Sequence, residues 1–167
     1  MSQVYDWEQF VKRVTIKAPQ QEIFDAWATQ AGLESWFLRK AEFTDRHKKR
    51  RERHSRVEAG DTYLWLWFGY PDSMNEQHTI LESNGKDHLK FRFSGGCLVT
   101  VTVKSEQGET ICELAQEMSP AEAGKRQMFY IECGKGWTFY LANLKSVLEG
   151  GLDLRNKNPS IQSVINA

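Results

Sequence analysis

The chain has 167 residues, 40% of them hydrophobic and 26% charged, with 22 basic side chains balanced by 22 acidic ones. That is one domain's worth of chain, with enough apolar material for a sizeable core and too much for a disordered profile. Zero net charge offers no global attraction to nucleic acid or an anionic membrane, and no run of 18 apolar residues is present to span a bilayer.

Taken in order, residues 10–17 alternate, with Val14 and Ile16 on one face, and predict a first strand. Ala18-Pro19 opens a helix, since proline is tolerated in a first turn. Ile23, Phe24, Ala26 and Trp27 give it an apolar stripe. Gly32 interrupts it, and residues 33–37 predict a second short helix. A short strand over 41–45 leads into a run of seven lysines and arginines between Arg46 and Arg56, opposed only by Glu52. This +6 segment has no apolar face and reads as a mobile, dispensable loop or lid. Binding of phosphate, RNA or an acidic partner is its other reading, but it lacks the interleaved aromatics that stack bases.

Residues 61–68 form a strong strand that is apolar on both faces, with Tyr63, Trp65 and Trp67 on one side and Leu64, Leu66 and Phe68 on the other. Such a strand is covered on both sides or lines a cavity on one. Four further strands are predicted at 76–82, 88–93, 97–104 and 110–118, separated by Asn84-Gly85, Gly95-Gly96 and Gln107-Gly108. Ser119-Pro120 ends the sheet. Trp137, Leu141, Leu144 and Leu148 then make one continuous stripe on a long helix that stops at Gly150-Gly151. Residues 1–152 are read as one domain and 153–167 as a loosely ordered tail. The fold class is α+β: about seven strands in the order β-α-α-β-β-β-β-β-β-α, a curved antiparallel sheet wrapped around the last helix. Gly134 and Gly136 each cost that helix roughly 1 kcal/mol relative to alanine, which suggests space left for a ligand or a close backbone approach.

Cys97, Cys112 and Cys133 are widely spaced with no CxxC, which argues against a zinc site or redox pair. Each lies in an apolar run as a small buried hydrophobe, as expected in a reducing compartment. Residues 1–7 show no signal-peptide pattern, so a cytoplasmic location is expected. No two histidines have ligand spacing with a carboxylate nearby, and GxSxG, HExxH, P-loop and GxGxxG motifs are absent. No cofactor and no metal are expected.

The stretches VTIKAPQQEIFDAWATQAGLESWF at 14–37, GDTYLWLWFGY at 60–70 and GWTFYLANLKSVLEGG at 136–151 resemble the START-like superfamily, also called SRPBCC or birch-pollen-allergen-like. Within it they are similar to the bacterial branch named after the activator of the heat-shock-protein-90 ATPase. The resemblance implies a helix-grip fold with a cavity between the sheet and the C-terminal helix. It also implies binding of lipid-like, hormone or polyketide ligands, with polyketide cyclisation in some members.

Candidate ligand-binding residues are Trp36, Trp65, Trp67, Phe91, Gln116, Cys133, Trp137 and Tyr140. The aromatic ones suit a plain core as well as a pocket lining. Gln116 shares the register of Cys112 and Leu114, so its amide needs a buried partner, either backbone or a ligand. The reading is a binding protein for an apolar small molecule. Its alternatives are a polyketide-cyclase or dehydratase-like enzyme and a module that contacts a chaperone.

Overall fold

The structure is a computed structural model and describes residues 5–119 and 124–165. Strand β1 (Gln9–Thr15) is followed by helices α1 (Gln20–Ala28) and α2 (Gln30–Trp36). The break between the helices falls at Thr29 rather than at Gly32. Thr29 has extended backbone, and its Oγ1 accepts the Gly32 amide at 2.9 Å, an N-cap for α2. Gly32 instead serves a close approach, since a Cβ there would lie 2.1 Å from the Asp25 carbonyl oxygen.

Strands β2 (Lys40–Thr44), β3 (Thr62–Leu66), β4 (Glu76–Ser83), β5 (His88–Phe93), β6 (Cys97–Glu106) and β7 (Glu109–Glu117) complete a seven-stranded sheet. Its order is β1-β7-β6-β5-β4-β3-β2, antiparallel throughout. The expected α+β helix-grip arrangement is present, an open curved sheet with a long C-terminal helix. A register shift between Ile80 and Glu82 in β4 bends the sheet locally. The β4–β5 turn is fixed by the Asn84 Oδ1 atom, which accepts the amides of Lys86, Asp87 and His88. Pro120 lies outside the described residues.

Helix α3 (Arg126–Leu148) covers the concave face. Trp137, Leu141 and Leu144 are buried and Leu148 is half-buried, as the stripe requires. Opposite them, β6 turns Cys97, Val99, Val101 and Val103 inward, and β5 turns Leu89, Phe91 and Phe93. Among the described residues no helix is long and apolar enough to cross a membrane.

Two expectations need correction. The basic segment is not a free loop. Arg51 forms a two-pronged pair with buried Asp61, Arg53 pairs with Glu34, Arg56 with Asp25, and Arg46 donates to the Ala59 carbonyl. Val57 is buried behind them. Four of its arginines, Arg50, Arg51, Arg53 and Arg56, pair with carboxylates of the folded domain, so the segment docks although it has no apolar face.

The start of the tail also docks. Arg155 is buried and donates to the carbonyls of Leu38 (2.9 Å) and Glu34 (3.0 Å) and to Asp153. Buried Asn143 of α3 donates to the Trp36 carbonyl and accepts the Leu154 amide, each at 2.7 Å. Arg155 and Lys157 lie over the Phe68 ring at 5.3 and 5.6 Å. The outer apolar face of the 61–68 stretch is thus partly covered by the tail.

Candidate ligand cleft

Beyond Leu66 the chain leaves the β3 ladder, and Trp67, Tyr70, Met74 and Asn75 form a wall before β4 begins at Glu76. The N-terminal half of α3 forms the facing wall, with Met128, Phe129, Cys133, Gly136 and Trp137. Between them opens a cleft of about 510 Å³, within the size range of small-molecule sites.

Its floor is a connected set of rings. Phe37 follows α2 and lies 5.7 Å from Trp67, 5.1 Å from Trp137 and 4.8 Å from Tyr140, centroid to centroid. Phe93 at the end of β5 lies 5.2 Å from Trp137 and 6.4 Å from Trp67. The rings pack edge-to-face or tilted against one another; Phe37, Phe93, Trp137 and Tyr140 are buried and Trp67 is half-buried. A Cβ on Gly136 would meet nothing within 4 Å, so this glycine leaves open space in the helical wall. Gly134 does not contribute, since its Cβ position faces the Lys12 side chain of β1 at 3.7 Å.

The eight residues singled out from sequence divide evenly. Trp67, Cys133, Trp137 and Tyr140 line the cleft. Trp36, Trp65, Phe91 and Gln116 do not, and all four are buried in the core beneath it. Trp36 donates its indole N–H to the Ala26 carbonyl at 2.9 Å, and Trp65 stacks on Tyr63 at 3.9 Å. Gln116 meets another side chain through its amide oxygen, rather than backbone or a ligand. Its Oε1 accepts the Trp137 indole N–H at 2.7 Å, which fixes the ring that borders the cleft.

The polar groups at the opening are few. Glu76 accepts from the Ser94 hydroxyl and from Nε2 of His78, the latter at 2.9 Å. Burial pushes the Cys133 thiol up to about 11 and raises the Tyr140 phenol further still, so both stay uncharged at neutral pH. Phe37, Phe93 and Glu76 were not singled out from sequence. The strand at 88–93 was visible, but which of its rings reaches the sheet's open end depends on strand register. Among the described residues no group of three His, Cys, Asp or Glu side chains is placed to hold a metal ion.

A seven-stranded antiparallel sheet gripping one long C-terminal helix, with an aromatic cleft where they part, defines a START-like helix-grip domain. The family described as Activator of Hsp90 ATPase homolog 1-like protein matches residues 17–149, and the chain belongs to that family. A search of curated proteins finds no significant match.

Solved structures similar in fold include protein SSP2350 of Staphylococcus saprophyticus, at TM-score 0.65 and 16% identity over 88% of this chain and 96% of that one. The Aha1 dimer of Colwellia psychrerythraea gives 0.62 and 16% over 86% and 97%. DynU16, from the dynemicin biosynthetic locus, gives 0.68 and 19% over 90% of this chain but 50% of its own. At these identities the likeness is one of fold.

Proposed function

We propose that the cleft between the β3–β4 connection and α3 binds an apolar small molecule. The observation that carries this reading is Gly136. A helix interior with leucine and aromatic neighbours gives up stability to hold a glycine, and the space it leaves opens onto the cleft that these rings line. The binding mechanism is transfer of ligand surface from water onto those rings, worth about 25 cal/mol per Å² before association costs. The three free thiols suit a reducing, cytoplasmic setting.

A hydrophobic fluorescent probe should bind with roughly micromolar affinity. Gly136→Leu should abolish that binding while the circular dichroism spectrum is unchanged. Retained binding in the folded variant would place the site elsewhere. The family name and the DynU16 likeness supply two other readings. Co-purification of a chaperone would favour a regulatory module, and turnover of a bound substrate a cyclase- or dehydratase-like enzyme.

A further inference from the structure

We infer that the cleft prefers apolar ligands carrying a cation, such as a protonated amine, over anionic ones such as fatty acids. This rests on the cleft being a ligand site and adds the sign of the ligand's charge. The described residues that line it include two carboxylates, Glu76 and Glu132, and no lysine, arginine or histidine. Glu132 is exposed and carries Lys135 at 3.1 Å. Glu76 is different, with a side chain only 21% exposed.

Among the described residues no lysine or arginine pairs with Glu76; its contacts are the Ser94 hydroxyl and the His78 ring. An ionised carboxylate has roughly four acceptor directions, so two donors leave capacity for a third. Arg39, which neighbours the cleft through the Trp67 carbonyl, is tied to Asp72 and does not line it.

The rings add to this. Trp67 in the lining is half-buried, and the face of such an indole carries negative quadrupole potential, which attracts a cation within about 6 Å and repels an anion. An anionic head group would meet a like charge and only neutral donors. An ammonium would meet a carboxylate able to accept a charge-assisted hydrogen bond. A neutral apolar ligand would be indifferent to the difference, so a matched series separates charge preference from apolar burial.

The test is calorimetric titration of the wild-type chain at about pH 8 with three shape-matched probes: 2-(2-naphthyl)ethylamine, 2-(2-naphthyl)ethanol and 2-naphthylacetate. The amine should bind about tenfold tighter than the alcohol, and the carboxylate weaker than both. Glu76→Gln should remove most of the amine's advantage and leave the alcohol within about twofold. Equal binding of amine and alcohol, or a preference for the carboxylate, would overturn the charge inference and leave the apolar cleft standing. No binding of any probe would overturn both. Should Glu76→Gln fail to fold, the wild-type ranking decides alone.

Discussion

Gln116 shows how a side chain can be placed correctly by its sequence and still be misassigned. The alternation of β7 turns it inward, and it is fully buried. Its partner, Trp137, is 21 residues away on another element, and no local pattern announces that contact. The same holds for Asn143, whose partners are the Trp36 carbonyl and the docked tail. Gln116→Leu keeps the apolar volume and strands the indole N–H. It should cost about 1–3 kcal/mol in a urea midpoint measurement and loosen Trp137, with weaker probe binding as the second readout. The cleft was half legible for this reason. Period places Trp67, Cys133, Trp137 and Tyr140 on converging faces, whereas the separation of lining rings from buried ones depends on sheet register and on where α3 crosses.

At the scale of elements, strand and helix periods were clear and the basic segment was not. Its pattern carries charge without an apolar stripe, the usual mark of a solvated loop. What holds it is a set of carboxylates presented by other elements, with Arg56 reaching Asp25 31 residues back and Arg53 reaching Glu34 19 residues back. The most buried of these pairs is Arg51 with Asp61, whose carboxylate side chain is 1% exposed. The hydrogen bonds that Arg51 donates to Asp61 raise the Arg51 pKa further, consistent with a locked pair. Arg51→Ala would leave a buried carboxylate unpaired, at the lower end of the roughly 3–5 kcal/mol such a loss costs because the arginine itself is partly solvated. The measurement is again the urea midpoint. An unchanged value would return the segment to the status of a free loop.

Across the whole molecule, the docked tail ties α2, α3 and the outer face of the sheet together. Asp153 is central to it. Burial alone would raise its carboxyl, but Arg155, Lys157 and Asn143 hold it well below the usual carboxylate range. A carboxyl whose pKa is lower in the folded state contributes stability above its unfolded value, near 3.9. That contribution is lost as pH falls from there through the folded value. Asp153→Asn should therefore lower Tm at neutral pH, and the gap to the wild-type chain should narrow steadily below about pH 4. A gap independent of pH would mean that the carboxylate charge has no part in docking.

The clustering of indoles has a consequence for measurement. Trp36, Trp27 and Trp137 lie in series, with ring centroids 4.6 and 5.7 Å apart, and only the last borders the cleft. Indoles this close exchange excitation energy before they emit. A quenching or absorbing molecule beside Trp137 will darken its two sheltered neighbours as well. Intrinsic fluorescence should thus be an unusually responsive gauge of occupancy, with a fractional drop larger than the share of Trp67 and Trp137, the two indoles that line the cleft. Affinities are better taken from the midpoint of such a titration than from its amplitude.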